Sequence, residues 1–188
     1  MQNKKFITIG VIAVLILIIG VWVAESYNTL VKQDEQVNNK WAQVDTQLER
    51  RYDLIPNLVS TVKGIAKQEQ EVFGKLADAR MRYAGATTPE ARAQAANETE
   101  SALGRLLVIV ENYPNLQSSQ AFRDLMVSLE GSENRIAVAR KDYNDAVTAF
   151  NTKVKTFPAS TVASMFNFDA RTYFEVREEA KQVPVVNF

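Results

Sequence analysis

Two stretches put charged and polar groups where a helix would carry its apolar stripe. In "LERRYDLIPNLV" (Leu48–Val59) stand Arg50, Arg51, Asp53, Pro56 and Asn57. In "LEGSENRIAVAR" (Leu129–Arg140) stand Glu133, Asn134, Arg135 and Arg140. Guanidinium, carboxylate and amide groups together can pair across helices, hold an anionic ligand, or polarise an anionic substrate. General acid–base work needs a group that titrates near neutral pH, and none is evident in this set. The chain has no histidine and no cysteine, which excludes Ser-His-Asp triads, HExxH zinc sites and thiolate chemistry. Ser60 and Lys63 have the spacing of a Ser–Lys pair, but helices produce that spacing by chance. The carboxylates of "ANETESALG" (Ala96–Gly104) read as a solvated helix face. With no glycine-rich phosphate loop, EF-hand loop or Glu-x-x-His motif, no catalytic residue, metal ligand or cofactor is assigned.

The elements that carry these residues are helices. From Glu25 to Tyr83 apolar residues recur mostly at steps of 3 and 4: Leu30, Val37, Trp41, Val44, Leu48, Ile55, Leu58, Val62, Ile65, Val72, Leu76 and Tyr83. That rhythm predicts one very long first helix, reaching roughly 85–90 Å if unbroken. Arg51 falls on its stripe with Leu48, Ile55 and Leu58, whereas Arg50, Asp53 and Asn57 share the neighbouring face. Pro56 predicts a kink. "GATTPEAR" ends the element, with Gly85 as C-cap and Thr88 and Pro89 opening a second helix to about Glu111. Its alanines (Ala91, Ala95, Ala96) permit close approach, and Leu103, Leu106, Leu107 and Val110 form an apolar end.

After the break at "NYPNLQSS" a third helix is expected from Ser119 to Thr156. Its stripe is Phe122, Met126, Leu129, Glu133, Ile136, Arg140, Tyr143, Val147, Phe150 and Val154. Ser160 is placed as cap of a short helix over Val162–Phe166, and Asp169 as cap of a last one over Tyr173–Lys181. The apolar tail "VPVVNF" is expected to dock on the helices. A buried charge must be paired, because a lone one costs several kcal/mol. The stripes therefore predict an interhelical network, Arg51 with Glu133 and Asp53 with Arg135 or Arg140. The fold class is all-α, an N-terminal transmembrane helix followed by an antiparallel four-helix bundle.

"FITIGVIAVLILIIGVWVA" (Phe6–Ala24) holds no charge. As a helix it spans roughly 28 Å, close to the hydrocarbon thickness of a bilayer. A cleavable signal would have a shorter apolar core and small residues at the cut; Trp22 would stand at −3 of a cut after Ala24, so an uncleaved anchor is favoured. Trp22 and Tyr27 lie where interfacial aromatics are found, and Lys4 and Lys5 before the span place the N-terminus in the cytoplasm and the bulk outside. The organisation is thus a tail over residues 1–5, a span over 6–24, and a helical domain over 25–188, with 25–45 as a candidate stalk. Lys+Arg and Asp+Glu are both 22, a balance that argues against a nucleic-acid partner.

"SYNTLVKQDEQVNNKWAQVDTQLERRYDLIPNLVSTVKG" (Ser26–Gly64), "NYPNL" (Asn112–Leu116), "LEGSENRIAVARKDYNDAVTAFN" (Leu129–Asn151) and "YFEVREEAKQVPVVNF" (Tyr173–Phe188) together resemble the LemA family. The resemblance covers nearly the whole chain, with the motifs in order. It implies a bacterial single-span membrane protein with an antiparallel four-helix bundle and no established enzymatic activity. Genes of the family often neighbour those for TPM-domain proteins or membrane zinc metalloproteases, which implies envelope maintenance or protein quality control. Its motif residues fall on Trp41, Arg50, Arg51, Asp53, Pro56, Asn57, Glu133, Asn134, Arg135 and Arg140, without assigned roles. The expected function is a non-catalytic, membrane-anchored scaffold of the cell envelope that docks an unidentified envelope or membrane protein, or a second copy of itself. The alternatives are a sensor binding an anionic ligand at Arg50, Arg51 and Arg135, and a hydrolase.

Overall fold

The computed structural model describes residues 2–63 and 70–175. They form six helices in chain order: α1 (Gln2–Lys63), α2 (Gln70–Gly85), α3 (Pro89–Val110), α4 (Pro114–Gln117), α5 (Gln120–Lys155) and α6 (Ala159–Met165). No strand occurs among the described residues. The chain divides into two compact units, one of residues 2–39 and 145–172 and one of residues 40–63, 70–144 and 173–175 among those described.

In the first unit, the apolar side chains of α1 from Ile9 to Val21 are exposed, Leu17 at 68%. Exposed apolar side chains over such a length make this the stretch of α1 long and apolar enough to cross a membrane. Further along, Leu30 and Val37 are buried, as are Val147 and Phe150 of α5 and Val162 and Ala163 of α6. The Tyr27 ring lies 4.8 Å from that of Phe166 and 5.8 Å from that of Phe168. The Arg171 guanidinium grips Asp34 with two bonds, Nε to Oδ1 at 2.9 Å and Nη2 to Oδ2 at 3.0 Å. Asn151 holds the Arg171 backbone, donating to its carbonyl and accepting from its N–H, both at 2.8 Å.

In the second unit, α2 runs back along α1. Tyr83 of α2 stacks on Tyr52 of α1 with ring centroids 4.1 Å apart, and its hydroxyl reaches Asp45 Oδ1 at 2.5 Å. An unbroken helix would hold Asp45 and Tyr83 about 57 Å apart at 1.5 Å per residue. The single rod expected from Glu25 to Tyr83 is therefore two helices. The stripe residues are buried on both, Val44, Leu48, Ile55, Leu58 and Val62 on α1 and Val72, Leu76 and Tyr83 on α2; Ile65 lies outside the described residues. A 3–4 rhythm records the angle of a side chain about its axis and is blind to a reversal of that axis. Pro56 leaves α1 continuous. It is exposed, where the hydrogen bond lost by the Tyr52 carbonyl costs least.

α3 opens as expected. Pro89 is its first residue, and the Thr88 hydroxyl accepts from the Ala91 N–H at 3.2 Å. The buried face is Ala95, Ala96, Thr99, Ala102, Leu106 and Val110. Gly85 is the last residue of α2 and does not take the left-handed conformation of a C-cap glycine. α5 passes through Gly131 without a break. Ser160 lies inside α6, where its N–H bonds the Thr156 carbonyl at 2.9 Å, so it does not cap that helix. Residues 171–175 are not helical, and the rest of the helix expected to Lys181, with the tail "VPVVNF", lies outside the described residues.

Candidate functional site

The charged residues of α1, α3 and α5 converge in the core of the second unit. Arg51 is on the buried stripe of α1, and its side chain is only 4% exposed. Its Nη2 pairs with Glu133 Oε2 of α5; the Glu133 side chain remains 40% exposed. Two turns further along α5, Arg140 Nη2 donates to Glu100 Oε2 of α3 at 3.1 Å. The Arg140 guanidinium also covers the ring of Phe174, 4.7 Å from its centroid. Burial pushes the Arg51 guanidinium below the ordinary arginine value, opposed by the Glu100 carboxylate and reinforced by Arg140. Three buried donors, Arg51 Nε, Arg51 Nη1 and Arg140 Nε, have no hydrogen-bond partner among the described residues. Arg51, Glu100 and Glu133 border a cavity of about 250 Å³ whose other walls include Leu58, Leu103 and Leu129.

Beside it, α1 meets α2 and α3 through a second polar group. The Thr99 hydroxyl donates its one proton to the Ala95 carbonyl at 2.9 Å. The Tyr52 hydroxyl, 2.9 Å from Thr99 Oγ1, must therefore be the donor of that bond. Asp45 accepts from Tyr83 on one oxygen and from Arg92 Nη1 on the other. Arg92 Nε donates to the Ala86 carbonyl at 3.1 Å, tying α3 to the turn before it. Burial, aided by the Asp45 carboxylate, drives the Tyr83 phenol far above its usual range. Burial likewise raises Tyr52 to about 12, partly offset by its bond to Thr99.

These two phenols make the fold sensitive to alkali. A folded-state pKa above the unfolded value of about 10 stabilises the fold below pH 10, and that stability disappears as pH rises through the folded value. Between pH 10 and 12 the Tyr52 shift removes roughly 2–3 kcal/mol. Urea unfolding of the full chain in detergent, followed by circular dichroism, should weaken across that window, and Tyr52→Phe should flatten the decline. An identical decline in Tyr52→Phe overturns the assignment to Tyr52.

Of the residues singled out in the sequence, the structure brings together Arg51, Glu133 and Arg140. The pair Arg51–Glu133 is present as expected. Asp53 is not set against Arg135 or Arg140: it is exposed, and Arg140 takes Glu100 instead. Arg50, Pro56, Asn57, Asn134 and Arg135 also face solvent. Trp22 is half-buried, and Tyr27 packs on Phe166 and Phe168. The Ser60 hydroxyl is exposed and donates to the Asn57 carbonyl at 2.9 Å; the Lys63 side chain lies outside the described residues. The residues that sequence reasoning missed are Glu100, Thr99, Tyr52, Asp45 and Arg92. "ANETESALG" is not a wholly solvated face, because Thr99 is fully buried and Glu100 is ion-paired. The signal for Thr99 was present: it stands in step with Ala95, Ala96, Ala102 and Leu106. Chemically, paired arginines and glutamates of this kind hold three helices at one register.

The sequence comparisons give one family model and several relatives. A model described as LemA family matches residues 40–188. The chain is 28% identical over 186 residues to Magnetosome protein MamQ 2 of Paramagnetospirillum magneticum, covering 85% of this chain and 68% of that protein. To Magnetosome protein MamQ of Magnetospirillum gryphiswaldense it is 27% identical, with the same coverage. To Protein LemA of Metamycoplasma hominis it is 23% identical over 152 residues, covering 80% of this chain and 69% of that one.

Proposed function

The chain belongs to the LemA family, and from that premise we propose that it is a non-catalytic, membrane-anchored docking protein of the bacterial cell envelope. The observation that carries this reading is a single helix. α1 holds both the exposed apolar stretch and, further on, the buried arginine that pairs with Glu133 of α5. In the proposed arrangement, residues 6–24 form the membrane helix after a short tail, residues 25–188 form the helical domain, and 25–45 lead from one to the other. Lys4 and Lys5 favour a cytoplasmic N-terminus, with the domain on the other side. Candidate contact points for a partner are apolar side chains left bare on two helices, Val108 on α3 and Val127 and Val138 on α5, each more than 60% exposed. The proposed partner is an envelope or membrane protein or a second copy.

The sensor alternative asks for arginines open to an anion. Arg50 and Arg135 are exposed but stand outside the cluster, while Arg51 is sunk behind the Glu133 and Glu100 carboxylates. That charge balance disfavours an anionic ligand. Hydrolysis by a Ser–Lys pair gains no support, since the Ser60 hydroxyl is exposed and donates to the Asn57 carbonyl of its own helix.

The test is photo-crosslinking in intact cells, with a photoreactive residue at position 108, 127 or 138 of the full chain. The chain should fractionate with membranes that resist alkaline carbonate, and at least one position should yield a discrete heavier adduct. Recovery in the soluble fraction, or no adduct from all three positions in membrane-held protein, would falsify the docking reading.

A further inference from the structure

In the first unit, the corner where α5 passes into α6 leaves apolar side chains bare close to the end of the apolar stretch of α1. α6 ends in a reversal: Asn167 takes the left-handed conformation, φ 57°, and the Phe168 N–H bonds the Ala163 carbonyl at 2.9 Å. The residues after that reversal run along α1. Phe166 and Phe168 sit on Tyr27, and Arg171 reaches Asp34. The strip from Phe166 to Arg171 thus leads away from the apolar stretch, and Phe166 is its end nearest that stretch. Tyr27 follows Ala24 by three residues, about 4.5 Å along the helix. The Phe166 ring therefore stands just beyond the apolar stretch Phe6–Ala24.

What this corner shows to the outside is apolar. Phe157, in the connection between α5 and α6, is 85% exposed, more than any large apolar side chain between Ile9 and Val21. Met165 is 62% exposed and Phe166 45%. α6 buries Ala159, Val162 and Ala163 and leaves its bulkier Met165 outside, the reverse of what packing alone favours. The charges that flank the corner cancel: Lys153 and Lys155 stand before it, Asp169 after it and Glu25 on α1. Apolar contact, not charge, is what such a surface offers.

Resting on the reading of residues 6–24 as a membrane helix, we infer that the α5–α6 corner is a second membrane contact. Phe157, Met165 and the open edge of Phe166 lie among the lipid headgroups where α1 leaves the bilayer. The headgroup region adds about 5–7 Å on each side of the hydrocarbon, and the corner begins within that distance of Ala24. Aromatic rings are favoured in that layer. Tyr27 is already engaged with Phe166 and Phe168, so the corner supplies the free ring, that of Phe157. The occupant is a lipid surface because the patch adjoins, in the same compact unit, the stretch of the described chain fit to cross a bilayer. Balanced flanking charges mean that neutral lipid suffices. The contact holds the root of the helical domain flush on the membrane.

The absence of cysteine lets a single one carry an environment-sensitive fluorophore in the full chain, reconstituted in phosphatidylcholine nanodiscs. Phe157→Cys and Met165→Cys report on the corner; both side chains are exposed, so neither change opens the core. Leu17→Cys reports on the membrane helix. Gln36→Cys, exposed on α1 and about 18 Å beyond Ala24, is the aqueous control. Lipids with a nitroxide near the headgroup should remove about half or more of the emission at 157 and 165, and little at 36. Lipids with a nitroxide deep in the acyl chain should quench position 17 most strongly. Quenching at 17 with none at 157 or 165 overturns the corner contact and leaves the membrane helix standing. A blue-shifted but unquenched corner places protein against it and overturns the contact too, as does equal quenching at 36. No quenching at 17 overturns the membrane helix itself, and the corner contact falls with it.

Discussion

Glu133→Met is expected to lower the melting temperature of the full chain in detergent by about 5–15 °C, whereas Arg51→Met lowers it by only a few degrees. The asymmetry follows from exposure. Removing Glu133 leaves the Arg51 charge on a side chain that is 4% exposed. Stranding a buried charge costs several kcal/mol; the nearby Glu100 offsets part of it, leaving about 2–4 kcal/mol. Removing Arg51 leaves Glu133, which at 40% exposure is hydrated by solvent and loses about 1 kcal/mol. In a chain of this size each kcal/mol moves the melting temperature by about 2–4 °C. The double variant should melt near Arg51→Met and well above Glu133→Met, because the second change removes the stranded charge. Thermal melts of the four proteins, read as a double-mutant cycle, decide the matter. Additive losses, or a Glu133→Met shift below 2 °C, would mean that the pair does not hold α1 to α5.

The largest loss is expected at a residue that carries no charge. Tyr52→Ala removes a ring buried to 4% exposure that stacks on Tyr83. It also removes the donor to Thr99 at the contact of α1 with α3. Truncating a buried aromatic costs about 3–5 kcal/mol, a drop of roughly 10 °C or more in a chain of this size. Tyr52→Phe keeps the ring and loses only the hydrogen bond. Thr99 still donates to Ala95, so no buried donor is orphaned and the cost stays near 1 kcal/mol. A set of melts in which Tyr52→Ala and Tyr52→Phe fall together would place the energy in the hydrogen bond. That result would sink the claim that ring packing joins α1, α2 and α3 there.

Such contrasts separate what is legible along the chain from what is not. The start of α3 and the end of α5 were legible because proline and capping residues act locally: Thr88 and Pro89 open α3, and Pro158 follows the end of α5. Capping failed as a guide at Ser160 because α6 begins a residue earlier and buries Ala159. The inward turn of Arg51 and the outward turn of Arg50 and Asp53 were legible from the 100° step between helical residues. Glu100 was not, because its ion pair depends on Arg140 arriving from α5.

By itself, then, the sequence determined the all-helical class, the apolar stretch fit for a membrane, and the buried stripes, with Arg51 on one and Glu133 at the margin of another. Each of these depends on residue type and on spacing within one helix. Tertiary structure alone decided that α2 folds back on α1, that Arg140 takes Glu100 and leaves Asp53 in solvent, and that Asp45 serves both Tyr83 and Arg92. The physical reason is that periodicity fixes the angle of a side chain about its helix axis. Which charge meets which depends instead on the direction of each axis and the offset between axes, and packing of the whole core sets those.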